Sequence, residues 1–205
     1  LVKFKQVVKK TGKSETYNTD ELSRLMSYLD TQYTETLDTA FLAVKLNFFI
    51  GLRVGELVAL KWEDCYNDRN LHIIREEVRD QTTNCYEVVE HTKTNKDRYV
   101  ILVPKAMDIL NKIEHQGEYI FVRDGNRLTS RQIAYVLEKY AERQGITTKS
   151  THKMRKNFAS NLSASGVPLD CIRELLGHSD LNTTLGYIYN PLTEHETYDL
   201  ITKAL

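Results

Sequence analysis

The longest apolar stretch of the chain lies between Phe41 and Leu52, and Lys45 and Asn47 interrupt it. It falls short of the roughly 20 apolar residues that a membrane-spanning helix needs, so no membrane association is expected. The same residues predict a helix over Leu37–Ile50, apolar on two sides, with Gly51 as its C-terminal stop. A chain of 205 residues is long enough for one sizeable domain with a self-sufficient core. Its 41% hydrophobic and 27% charged content fits a folded globular protein, not a disordered one.

Around that helix the pattern is mainly helical. Asn18 and Glu21 have capping-box spacing and are followed by Leu22, Leu25, Met26 and Leu29 on one face. A short helix is expected from Val54. Three strand-like runs follow, Leu71–Val78, Tyr86–His91 and Arg98–Val103, with Asn95–Asp97 as the turn between the last two. Pro104 opens another helix, and Tyr119–Val122 reads as a brief extended piece. Gln132–Arg143 is amphipathic and ends at Gly145. Helices over His152–Ser165 and Pro168–Leu176 are closed by Gly166 and Gly177. A turn through Asp180–Asn182 leads to a short helix bearing Tyr187, then to an amphipathic tail. The expected fold class is mixed, mainly α, with helices flanking one small antiparallel β-sheet.

Charge and cysteine content exclude little. The 28 basic and 28 acidic residues cancel, which does not announce a nucleic-acid binder. Their distribution is uneven: His91–Ser160 holds 14 Lys/Arg against 7 Asp/Glu, while the flanks are acidic. A basic middle suits a localised anionic ligand, although charge runs are often only solvated faces. Cys65, Cys85 and Cys171 are odd in number and widely spaced, so neither a disulfide framework nor a zinc site is expected. No carboxylate cluster for a divalent metal stands out.

Four separated segments carry the chemistry. In Gly51-Leu52-Arg53-Val54-Gly55-Glu56, an arginine follows a helix-ending glycine, and Glu56 can orient its guanidinium. Thr92-Lys93-Thr94-Asn95-Lys96-Asp97-Arg98 forms the tip of the expected hairpin, where lysines are by default solvated. In Thr151-His152-Lys153-Met154-Arg155-Lys156, His152 and Arg155 share a helical face. An imidazole and a guanidinium together suit a phosphate, one by proton exchange and the other by a bidentate fork. In Leu176-Gly177-His178, a histidine precedes Tyr187 by nine residues; taken alone, Tyr187 is one of 12 tyrosines.

In this order and spacing the segments closely resemble the tyrosine recombinase (phage integrase) family, over essentially Tyr17–Tyr189. The matching positions are Arg53, Lys93, His152, Arg155, His178 and Tyr187, with Glu56 as the supporting acid. Lys156-Asn157 departs from the more usual His-Thr, and Lys96 competes with Lys93 for the hairpin role. The resemblance implies DNA cleavage and religation through a 3′-phosphotyrosine. In that scheme Arg53, Arg155 and His178 would stabilise the charged phosphoryl transition state. His152 would accept the phenolic proton, because a tyrosine pKa of roughly 10 needs help. Lys93 would protonate the leaving 5′-oxygen. Three cations at the phosphate make a metal redundant, so no cofactor is expected. The nine-residue offset favours Tyr187 over Tyr189 as nucleophile.

The implied partners are double-stranded DNA at a specific recombination site and further copies of the chain, as a tetramer on DNA. The expected division is a lysine-rich linker from an absent N-terminal DNA-binding domain (1–16), a catalytic domain (17–190) and a docking tail helix (191–205). A cytoplasmic integrase of a phage or mobile element is the leading expectation. The alternatives are an Xer-like resolvase, or a DNA-binding module without cleavage, for which a substitution at Arg53, Arg155 or Tyr187 would argue; none is present.

Overall fold

The computed structural model of the chain describes residues 16–67, 69–189, 198, 199 and 201–203. Its centre is α2 (Thr39–Ile50), which packs against α1 (Thr19–Thr36), α3 (Val54–Val58), α4 (Pro104–Leu110), α5 (Ser130–Gln144) and α6 (Thr151–Ala164). A helix apolar nearly all round has to be enclosed in this way. It starts two residues later than expected. Leu37 is 72% exposed and closes α1 in the left-handed region, and Asp38 caps α2 by accepting from the Ala40 amide. The Asn18–Glu21 capping box of α1 forms as read, with both reciprocal bonds at 2.9 Å.

The strands depart further from expectation. The run Leu71–Val78 is broken, because Arg75 turns inward and is 5% exposed. Its Nη1 donates to both carboxylate oxygens of Asp64 at 2.8 Å, Nη2 to Glu63 at 3.0 Å and Nε to Glu90 at 3.1 Å. A buried guanidinium must satisfy its donors, and the backbone bends to let it. On one side β2 (Asn70–Ile73) joins β1 (Cys65–Tyr66) and β5 (Arg98–Ile101) in the order β1-β2-β5. On the other, β3 (Glu76–Arg79) pairs only with β4 (Tyr86–Val89), antiparallel from Glu76↔Val89 to Arg79↔Tyr86. The single sheet expected is therefore three small antiparallel ones, and β4 and β5 are not hairpin partners. The third is β6 (Val122–Arg123) with β7 (Asn126–Arg127). Asp124 and Gly125, both at positive φ, make its turn, a signal the sequence reading passed over.

α6 is followed by α7 (Leu169–Leu176) and α8 (Leu181–Leu185). α7 and α6 form a second, smaller core of Phe158, Ala159, Ile172 and Leu176, against which Tyr187 and Ile188 pack. α8 stops before Tyr187, whose amide closes a turn onto the Thr184 carbonyl at 2.9 Å; contrary to the expectation of a helix bearing Tyr187, the nucleophile candidate lies in a turn beyond it. Of the expected tail, 191–197, 200 and 204–205 lie outside the described residues, as do 1–15 of the expected linker. Tyr198 and Ile201 are helical and exposed. No helix among the described residues is long and apolar enough to cross a membrane. The three cysteines are exposed and none forms a disulfide.

Candidate active site

Arg53 stands on a turn fixed from below. Gly51 closes α2 with φ +62, a conformation that L side chains rarely adopt. The buried Asn47 side chain then holds the next residue, accepting from the Leu52 amide at 2.8 Å and donating to its carbonyl at 3.1 Å. Arg53 caps α3, its own amide donating to Glu56 Oε2 at 2.9 Å and its Nη1 to Oε1 at 2.8 Å. Glu56 is fully buried. Burial pushes its carboxyl up, but the guanidiniums of Arg98, Arg53 and Arg155 outweigh that and bring it down to about 2.

Arg155 enters from α6 and is 1% exposed. Nη1 donates to the Gly51 carbonyl at 2.7 Å and Nη2 to that of Leu176, tying the two glycine-ended helices together. Its Nε has no partner. Burial, opposed by Glu56 and reinforced by Arg53 and Arg98, lowers it to about 10, so it stays a cation near neutrality.

His178 follows the α7 stop at Gly177 and is 6% exposed. Its Nδ1 lies 3.0 Å from the Thr184 hydroxyl, and its buried Nε2 has no partner. Burial, with Arg155, Arg53 and Arg98 nearby, lowers it to about 4. His152, at the exposed rim, is also lowered, by desolvation and then by Lys156 and Arg155. The ring of Tyr187 sits between these imidazoles, 4.7 Å from His152 and 4.6 Å from His178, both edge-on. The Arg155 and Lys156 cations stand 5.7 Å and 5.6 Å from the same ring. Tyr189, by contrast, is 46% exposed.

A cleft of about 330 Å³ gathers Arg53, Lys93, His152, Arg155 and Tyr187 on its walls, with Glu76 and Ser130 beside them. Lys96 instead lines a neighbouring cleft of about 240 Å³ with Arg98, Arg173 and His178. A turn separates the two lysines: Asn95 adopts φ +52, and its amide bonds the Thr92 carbonyl at 2.7 Å. All six site residues expected from the sequence thus line one or other of these clefts, and Glu56 lies buried behind them, bonded to Arg53. Sequence reasoning gave no role to Arg98, Glu76 or Thr184: Arg98 and Thr184 lie within segments it singled out, but local spacing does not mark Glu56 and His178 as their partners. Lys156 carried a signal, as a departure from the family's usual residue; it donates to the Gly186 carbonyl at 3.2 Å, beside Tyr187. Among the described residues, no three His, Cys, Asp or Glu side chains gather as a metal site.

Known proteins resemble this chain to different depths. The tyrosine recombinase XerA of Thermococcus kodakarensis is 34% identical over 186 residues, covering 86% of this chain and 58% of that protein. Tyrosine recombinase XerC of Haemophilus ducreyi is 31% identical over 179 residues, covering 82% and 54%. The chain thus spans a little over half the length of these curated relatives. Among solved structures, an integrase of transposon Tn1549 in complex with circular intermediate DNA aligns at TM-score 0.75 and 17% identity, over 95% of this chain and 67% of that one. The crystal structure of XerA recombinase aligns at TM-score 0.70 and 20% identity, over 98% and 66%. At such identities the shared property is the fold, a mainly helical recombinase core with small antiparallel sheets. Residues 15–195 also match the description Phage integrase family, and with the XerA likeness this establishes that the chain belongs to that family.

Proposed function

We propose that the chain is the catalytic part of a site-specific DNA recombinase that cuts and rejoins DNA through Tyr187. The observation that carries this reading is the Tyr187 ring held between two imidazoles, with Arg155 beside it and Arg53 and Lys93 in the same cleft. The Tyr187 oxygen attacks a backbone phosphorus while His152, neutral near pH 7, accepts the phenolic proton. The P–O5′ bond breaks, Lys93 supplies a proton to the departing oxygen, and a 3′-phosphotyrosine and a free 5′-hydroxyl remain. Arg53, Arg155 and His178 Nε2 receive the charge that gathers on the other phosphoryl oxygens. Attack by a 5′-hydroxyl reverses each step, so religation consumes no nucleotide.

The partners of this reaction are double-stranded DNA at a recombination site and other copies of the chain, and the compartment is a cytoplasm containing that DNA. The exposed Tyr198 and Ile201 support a tail that docks on a neighbouring subunit within a DNA-bound tetramer. The fold neighbour from a transposon favours a mobile-element integrase. The names of the XerA and XerC relatives favour the second reading, a resolvase with the same chemistry.

The test is covalent trapping. Wild-type protein is incubated with end-labelled, nicked random-sequence duplexes in excess chelator, and the protein–DNA adduct is resolved under denaturing conditions. An adduct is expected from wild type and Tyr189→Phe and none from Tyr187→Phe. An adduct that persists in Tyr187→Phe, or an absolute need for a divalent metal, overturns the scheme.

A further inference from the structure

We propose that Arg98 is a positioning residue for strand cleavage, acting through Glu56 to present Arg53 to the phosphodiester. The inference rests on the reading of the cleft as a strand-cleavage site. Arg98 grips Glu56 in a bidentate fork, Nη1 to Oε1 at 2.9 Å and Nη2 to Oε2 at 2.7 Å. Arg53 binds the same two oxygens, one through Nη1 and the other through its backbone amide. Each oxygen of one fully buried carboxylate is therefore shared between the two arginines.

The third side of the Arg98 guanidinium is also engaged. Nε donates to the Leu175 carbonyl at 2.9 Å, and a Cβ on Gly177 would lie 3.0 Å from Arg98. Arg98 thus locks β5 and Glu56 to the end of α7, one residue before His178. It lines the cleft behind His178, not the one that holds Tyr187, and so it acts through other residues.

The physical consequence is a charge switch. Four charged groups bear on Glu56: Arg53 at the start of α3, Arg98 on β5, Arg155 on α6 and Glu76 on β3. Without Arg98, burial and Glu76 dominate, and the carboxyl keeps its proton to a much higher pH. A neutral acid is a weak acceptor for Arg53, whose guanidinium then loses its fixed direction.

The experiment measures adduct formation on a nicked duplex recovered from the random pool, from about pH 5 to pH 8. Wild type, Arg98→Lys and Arg98→Met are compared, with thermal melts to show that each is folded. Arg98→Met should bind DNA within about twofold of wild type yet cleave about 10-fold more slowly or worse, and Arg98→Lys should recover part of the loss. Cleavage by Arg98→Met should rise with pH along an acidic limb that wild type lacks. Adding Glu56→Gln should flatten that limb. A duplex with a 5′-bridging sulfur should rescue Lys93→Ala but not Arg98→Met, because the loss lies in Arg53 and not in the leaving group. Wild-type cleavage by folded Arg98→Met overturns the proposal, as does a loss that is uniform in pH and tracks the unfolded fraction. Should Arg98→Met fail to fold, Arg98→Lys decides by the same limb. A wild-type chain that forms no adduct removes the reading of the site instead, which is a separate result.

Discussion

His178 Nε2 is buried with no bonding partner among the described residues, and a buried polar atom left unbonded costs on the order of 1–3 kcal/mol. The Thr184 hydroxyl at Nδ1 can donate there, leaving the proton on Nε2, where a phosphoryl oxygen would accept it. The same environment makes a stability prediction. The unfolded histidine titrates near 6.5 and the folded one near 4, so between those values the unfolded chain binds the extra proton. The contribution of this group to stability is thus complete above about pH 6.5 and is lost as pH falls towards 4. Thermal melts should show His178→Gln losing less of its melting temperature than wild type between pH 7 and 4.5; parallel curves would disprove it. At this scale the legible residues were those whose spacing announced them: Arg53 after Gly51-Leu52, His152 three before Arg155, and His178 nine before Tyr187. Arg98 was illegible because its meaning is a carboxylate 42 positions away, and no local pattern encodes that.

Helix ends were readable for a physical reason. Asn18, Gly51, Gly145 and Gly177 supply caps that act within three or four residues. The break at Arg75 was not readable, since its partners Asp64, Glu63 and Glu90 lie 11, 12 and 15 positions off. Because Tyr187 and Tyr189 both fall beyond the end of α8, no helical phase separates them, and their environments do. Gly55 shows how closely two elements must meet. A Cβ there would lie 2.7 Å from the backbone oxygen of Glu77, so α3 and β3 can touch only because the side chain is absent. Gly55→Ala should push them apart, destabilise the protein by about 1–3 kcal/mol and lower cleavage by moving Arg53 and Glu56. Urea denaturation measures the first effect, and a loss below about 0.5 kcal/mol would show that the contact can give.

Over the whole molecule, the basic middle of the sequence is not simply a face for DNA. Arg98, Arg123, Arg127 and Lys149 each pair with a carboxylate from before His91: Glu56, Asp38, Glu77 and Glu21. The fold spends part of the local excess internally and leaves Lys93 and Arg155 for the cleft, where Arg53 joins them from the acidic first part of the chain. The tail belongs to this scale too. Deleting residues 192–205 should leave monomer binding to DNA nearly unchanged in gel shifts while weakening assembly of the multi-subunit complex. Normal assembly and recombination by the truncated protein would rule out docking on a neighbour, and loss of its folded state would place the tail in its own core.

Those long-range pairs also set an order of events during synthesis. The buried carboxylate of Glu56 waits 42 residues for Arg98, and that of Glu77 waits 50 for Arg127 and 53 for the Ser130 amide. Enclosing them earlier would leave Glu56 with Arg53 alone and Glu77 without Arg127, at a cost of several kcal/mol for a buried carboxylate that lacks its partner. A nascent chain that has emerged only as far as β4 therefore gains nothing by closing, and the strand carrying Arg98 must leave the ribosome before α3 can settle.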